Sequence, residues 1–292
     1  MKKTPITFNI RTGDLNGQMR KIQLSEYAFH GAKHVVLTNE MMRDIMRNPR
    51  QAEVYRKEIN EVGLELADAH APFGAIEDLN VPDSPIREMM IQRGKLALMI
   101  AADAGVETIT FHTGNNQGVS ANYTIDEQHE FTTRAVEELL PVAEKYKVVM
   151  AIENVWSPNN TPERLLDIVE KFNSPFLGIC FDAGHANIMK CDRGTAECAP
   201  TNWWKDLPYI EWDDKILEKM LPHIVIAHIQ DNNGLWDEHL APGRGDIDWA
   251  HVADLLKKAP RLIAIQCEVF PDIHTGTITE IVASMKKIFG RL

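Results

Sequence analysis

The feature that most constrains this chain is an alternation that runs its whole length. Eight short apolar runs with strand character, ITFNI (6–10), HVVLT (34–38), LELADAH (64–70), TITFHT (108–113), VVMAIENV (148–155), LGICFDA (177–183), IVIAHIQD (224–231) and LIAIQCEV (262–269), are separated by stretches of helical periodicity. Neighbouring parallel strands need a crossover between them, and an amphipathic helix is the usual one, so this alternation is the pattern of repeated βαβ units. Eight such units predict an α/β chain folded as a (β/α)8 TIM barrel, with a doubly wound open sheet as the competing architecture. The 292 residues suit one barrel, which runs to about 250 residues as a single unit, so a single domain over 1–292 with modest insertions is expected.

The helical stretches carry their own start and stop signals. One lies around 22–31, and the others are NPRQAEVYRKEINEV, SPIREMMIQRGKLALMIAADAG, TIDEQHEFTTRAVEELLPVAEKY, TPERLLDIVEKF, WDDKILEKML, DIDWAHVADLLKKA and TITEIVASMKKIF. Several open on a Ser, Thr or Asp N-cap, SPIRE and TPERL add Pro at the first helical position, and Gly105 is placed to end the helix that follows the third strand. The segment 187–212, with Cys191, Cys198, Trp203 and Trp204, is too long for a plain βα loop and predicts an insertion over one mouth of the barrel. It is a candidate lid, or a subunit contact in a homo-oligomer.

A net charge of −11 opposes general affinity for phosphate backbones and anionic membranes, so nucleic acid is not expected as a partner. No apolar run reaches the roughly 18 residues of a membrane span. Pro5, Asn9 and Arg11 interrupt any signal-type apolar core behind the two N-terminal lysines. Cys180 and Cys267 fall inside strand runs and Cys191 and Cys198 in a loop without a second metal-like pair, so all four are expected as free thiols, and a cytoplasmic location follows.

The chemistry is written at the strand ends. The third run ends at His70, the fourth at His112, the fifth at Glu153, the sixth at Asp182, the seventh at His228 and the eighth at Glu268, all of them metal-ligand types. In a parallel barrel these ends converge on one face, and carboxylates with imidazoles gathered there would be repelled or desolvated without a divalent cation. One such residue alone is more often a structural hydrogen-bonding group; six on consecutive strands are not. Mixed nitrogen and oxygen donors suit zinc, manganese, cobalt, iron or magnesium. His185 lies three residues after Asp182, and Asp237 and His239 lie two apart, as ligands on an extended segment would.

In these residues the chain resembles the xylose isomerase-like TIM-barrel superfamily, which contains sugar and sugar-phosphate isomerases and epimerases together with endonuclease IV. The resemblance runs from about residue 60 to the C-terminus and is carried by IEN (152–154), FDAGHAN (181–187), HIQDNNG (228–234) and DEHLAPGRGDIDW (237–249). It implies that Glu153, Asp182, His228 and Glu268 hold one divalent ion and that His185 binds substrate. It also implies a place for each of the nine ligands of the three-zinc endonuclease branch, with His70, His112, His185, Asp237 and His239 serving either as further ligands or as groups that hold the ligands in place.

The leading expectation is a metal-dependent isomerase or epimerase of a sugar or sugar phosphate, in which Glu153 and Glu268 act as base and acid and a divalent cation stabilises an enediolate. Trp156 would wall the sugar, and Arg244 in the PGRG turn would hold a phosphate or carboxylate. The alternatives are a three-metal phosphodiester hydrolase, marked by about three ions per chain, and a non-catalytic sugar-binding barrel, against which the two glutamates speak.

Overall fold

The computed structural model describes residues 4–290 except 13, 14, 16, 196 and 208. Eight strands, β1 (Ile6–Phe8), β2 (His34–Leu37), β3 (Glu65–His70), β4 (Thr108–His112), β5 (Val149–Glu153), β6 (Leu177–Asp182), β7 (Ile224–Ile229) and β8 (Ala264–Cys267), form a closed barrel in chain order. Every neighbouring pair is parallel, including the β8 to β1 pair that closes the ring. This is a (β/α)8 TIM barrel, and the open-sheet alternative is excluded.

The two-residue strand period decides which side chains reach the interior. Ile179, Phe181, Ala227 and Ile265 belong to the large apolar layer between the strands and the surrounding helices, whereas Ala151, Cys180, Ile226 and Ala264 belong to a small separate cluster. The residues two further along four of these strands are Glu153, Asp182, His228 and Gln266. A narrow apolar plug therefore underlies the polar end, as barrel interiors are filled rather than open.

The longest crossovers show how the sequence builds the outer layer. In helix Pro85–Ala104 the Ser84 side chain accepts from the Arg87 N–H, and Met90, Ile91, Gly94, Ala97, Leu98 and Ala101 bury one face. Gly94 lets helix Ile125–Tyr146 approach, because a Cβ there would stand 2.9 Å from a Leu139 methyl carbon. The helix ends at Gly105 in the left-handed region at φ 78, as expected from its position. Thr124 and Thr277 form reciprocal capping boxes with Glu127 and Glu280.

Three local expectations need correction. The expected strand through Thr38 ends at Leu37, and a helix that the periodicity does not mark, Asn39–Arg47, follows it: the Thr38 side chain caps this helix by accepting from the Met41 N–H, and Met41, Met42 and Ile45 bury its inner face. The first helix spans Gly17–Phe29 rather than 22–31. The WDDKILEKML stretch is helical only over Ile216–Met220. The 187–212 segment contributes the 3-10 turn Cys191–Thr195 and the short helix Ala199–Trp203. Among the described residues no helix is long and apolar enough to cross a membrane, and all four cysteines are free.

Candidate active site

His70, His112, Glu153 and Asp182 are the last residues of β3, β4, β5 and β6, His228 is the next to last of β7, and Glu268 follows β8 directly. Neighbouring strands hold His112 opposite Glu153 and Asp182 opposite His228. The ligand atoms of Glu153, Asp182, His228 and Glu268 all lie within 4.8 Å of one another. His228 Nδ1 stands 3.1 Å from Glu268 Oε2 and 3.6 Å from Glu153 Oε1. His70 Nε2 and His112 Nε2 approach Glu153 Oε2 at 3.7 and 3.3 Å, while His185 Nδ1 approaches Glu153 Oε1 at 3.2 Å. Further out, Asp237 lies 3.4 Å from His185 Nε2 through Oδ2 and 3.4 Å from His239 Nε2 through Oδ1.

Three of the imidazoles, His70, His228 and His239, are held by one nitrogen with the other turned to a carboxylate of the site. His70 Nδ1 donates to the Ala71 carbonyl at 2.7 Å, and His239 Nδ1 to the Glu268 carbonyl at 2.7 Å. His228 Nε2 is hydrogen-bonded with Thr110 Oγ1 at 3.2 Å, and its Nδ1 faces the cluster. Such outer hydrogen bonds fix the tautomer and leave a lone pair free to bind a cation. His239 reaches its place from the left-handed region at φ 48, a strain of roughly 1–3 kcal/mol of the kind that gathers at functional sites.

Asn154 and Gln230 do similar work for the carboxylates. The Asn154 amide brackets the backbone of Asp182, accepting from its N–H at 2.6 Å and donating to its carbonyl at 3.1 Å. Gln230 Nε2 donates to Asp182 Oδ1 at 3.3 Å and to Asp237 Oδ1 at 2.8 Å, tying the inner and outer carboxylates together. Both residues sit inside motifs singled out in the sequence, one place after Glu153 and two after His228, yet neither was assigned a role there.

The donor atoms themselves provide the fit test for a metal. His70 Nε2, both Glu153 oxygens, Asp182 Oδ2, His185 Nδ1 and His228 Nδ1 are buried without a hydrogen-bond partner. Orphaned buried polar atoms cost about 1–3 kcal/mol each, and six on one cluster with matched nitrogen and oxygen chemistry fit a divalent cation.

The electrostatics express the same demand. Burial works to raise the Glu153 carboxyl, but His112 and His228 override it and hold the group well below the usual range. Burial likewise opposes ionisation of Glu268, and His228 brings it down to about 2. For Asp182 burial prevails over His185 and lifts it to about 7. His228 and His185 are raised well above an ordinary histidine: burial disfavours their charge, but Cys180 and Glu268 around the first, and Asp182 and Asp237 around the second, outweigh it. Protons on imidazoles thus balance carboxylates wherever a cation does not.

The xylose isomerase-like TIM barrel family model matches residues 24–288. The chain belongs to that family. An uncharacterized protein of Methanocaldococcus jannaschii is 30% identical over 195 residues, which make up 65% of this chain and 59% of that relative, so the match spans less than two thirds of the relative's length. Among solved structures, a D-tagatose 3-epimerase-like protein superposes with a TM-score of 0.71 at 24% identity, covering 96% of this chain and 95% of its own. The IOLI protein with a binding zinc atom superposes with a TM-score of 0.68 at 20% identity, covering 97% and 96%. These likenesses agree on the barrel.

In this xylose isomerase-like barrel the cluster opens into a cavity of about 320 Å³ lined by Trp156, Trp203, Trp204, His112, Glu153 and His185, among others. Trp156 donates from Nε1 to Asp237 Oδ2 at 3.2 Å, and its ring lies 5.4 Å from that of Trp203 and 5.0 Å from that of Trp204. The insertion therefore packs its aromatics on the site. On the other side Phe73, which no sequence motif marks, stacks on His112 at 4.2 Å between ring centroids. Arg244 is not brought to the cluster. It donates to the His274 carbonyl at 2.6 Å and forks onto both Glu280 oxygens at 3.0 Å, so its charge is spent bracing the last helix rather than on a substrate anion.

Proposed function

We propose that this chain is a divalent-metal-dependent isomerase or epimerase of a sugar or sugar phosphate that works by proton transfer. The observation that carries the reading is the quartet of Glu153, Asp182, His228 and Glu268, four ligand residues from four separate strand ends with ligand atoms within 4.8 Å of one another. The epimerase-like and zinc-bound relatives of the same fold support it. Bound at the quartet, a divalent cation supplies Lewis acidity that lowers the cost of negative charge on substrate oxygens.

The chain's own residues account for the proton movement. Glu153 ends β5 and Glu268 follows β8, three strands apart around the ring, so their carboxylates approach the cluster from different sides. Both are held ionised at neutral pH by His228 and its neighbours, so either can take a proton from a carbon next to a carbonyl. Return of a proton to the opposite face inverts the centre, and return to the neighbouring carbon moves the carbonyl. His185, buried and paired with Asp237, is placed to donate to a substrate oxygen. The three tryptophans exclude water from one side and offer an apolar face to a sugar ring. Stripping the protein with chelator should abolish activity on a panel of ketoses and their phosphates, and reloading with zinc, manganese, cobalt or magnesium should restore it; activity that survives complete stripping would refute the reading.

A specific observation also favours a second reading, a multinuclear hydrolase. His70, Glu153 and His228 form one further group of ligand atoms within 4.8 Å, and His185, Asp237 and His239 form another. Metal analysis separates the two readings: about one ion per chain under excess zinc supports proton transfer, and about three, with phosphodiesterase activity, supports hydrolysis.

A further inference from the structure

The ligand cluster opens on two lobes. Besides the tryptophan-walled cavity of about 320 Å³ there is a second of about 380 Å³, and Phe73, His239 and Glu268 line both. The second lobe is walled by the ends of β1, β2 and β8 through Asn9, Arg11, Thr38, Asn39, Glu40 and Phe270. Each lobe alone exceeds the lower bound of about 300 Å³ for small-molecule sites. A single sugar ring bound over Glu153 and His185 in the first lobe would leave the second unused.

The walls of the second lobe specify a chemistry. Asn9 is 5% exposed and lines this lobe, which gives it an amide with both donor and acceptor capacity. Arg11 offers a guanidinium whose nearest paired carboxylate, Asp272, is 4.0 Å away, and it lies 6.0 Å from the centroid of the Phe270 ring. Phe73 and Phe270 supply apolar faces. Glu40 is fixed there, with Oε2 accepting from the Thr12 N–H and hydroxyl at 3.2 and 2.6 Å. Arg11 is the one Lys or Arg among the lining residues, while Glu40 and Glu268 are carboxylates. Away from the cluster residues His70, His239 and Glu268, the lobe wall carries one cation, Arg11, and one carboxylate, Glu40, so a dianionic phosphate would meet no net positive charge there, whereas a neutral polyhydroxylated ring meets amide, guanidinium and carboxylate partners together with aromatic faces.

We infer that the substrate is a glycosylated keto sugar, whose keto unit sits at the cluster and whose second, neutral sugar ring fills the lobe around Asn9, Arg11 and Asn39. This rests on the isomerase reading above and narrows its substrate class from sugar or sugar phosphate to a glycoside. The test is equilibrium binding by calorimetry to the zinc-loaded full chain, with D-fructose, D-fructose 6-phosphate and four glucosyl-fructoses, turanose, maltulose, leucrose and isomaltulose, which carry the glucose on successive oxygens. At least one disaccharide is expected to bind ten-fold or more tightly than either monosaccharide, and Arg11→Met combined with Asn39→Ala should erase that preference. Equal or tighter binding of free fructose or of its phosphate would overturn the glycoside proposal while leaving the isomerase reading intact, and a preference that survives in a folded double variant would remove this lobe from the explanation. Binding of none of the six sugars would count against both. The wild-type comparison stands by itself if the double variant does not fold.

Discussion

At the scale of single residues the account turns on which atoms face the cluster and what holds them there. Glutamate, aspartate and histidine at strand ends were legible because a parallel barrel brings those ends together whatever lies between them in sequence. Thr110, Asn154 and Gln230 were not: a hydroxyl or amide earns its role from the ring nitrogen or peptide group that happens to face it, and composition carries no mark of that. Arg244 shows the converse, since its charge suggested a substrate anion while the structure pairs it with Glu280 and the His274 carbonyl. The Thr110 contact leads to a test. Thr110→Val removes the hydroxyl hydrogen-bonded with His228 Nε2, so metal affinity measured by chelator competition should fall about 10–100-fold, the usual cost of losing such an outer partner. An unchanged affinity in a folded variant would show that the hydrogen bond does not orient the ring.

At the scale of elements, strand identity survived translation into structure better than helix extent. All eight strand runs became strands because each is a short apolar segment bounded by clear breaks, whereas helix Asn39–Arg47 was hidden by Thr38, which prolongs a β-branched run and caps a helix at once. Gly105 illustrates a signal that carried through. It sits at φ 78 with open space around the position of a Cβ, so Gly105→Ala adds no clash and should cost about 1–2 kcal/mol from backbone conformation alone, measured by denaturant unfolding. The last helix, Ile278–Phe289, offers a pH test. The Glu280 carboxyl accepts from the Thr277 backbone N–H and from the Arg244 guanidinium, and these hold it down at about 2 against an ordinary 4.5. A depressed folded-state value means that its contribution is fully present above about pH 4.5 and is lost as pH falls toward 2. The melting temperature of Glu280→Gln should therefore lie below that of the unaltered protein at neutral pH and converge with it near pH 2; a constant gap across that window would contradict the assignment.

At the scale of the whole molecule the barrel acts as a device for assembling, at one end of a filled cylinder, donor atoms that no local motif could hold together. Six buried donor atoms without hydrogen-bond partners stand on a plug of Ala151, Cys180, Ile226 and Ala264, roofed on one side by tryptophans and open on the other to a polar lobe. The central claim is that Glu153 and Glu268 move a proton on a sugar bound there. The measurement that reaches it most directly is turnover of a confirmed substrate in deuterium oxide, followed by NMR, with the metal-loaded protein and its Glu153→Gln and Glu268→Gln variants. The account predicts deuterium at the carbon that changes configuration or gains hydrogen in the product, and a loss of about 10²–10⁴-fold in rate for each variant. Product formed without deuterium, or full activity in both variants, would contradict it.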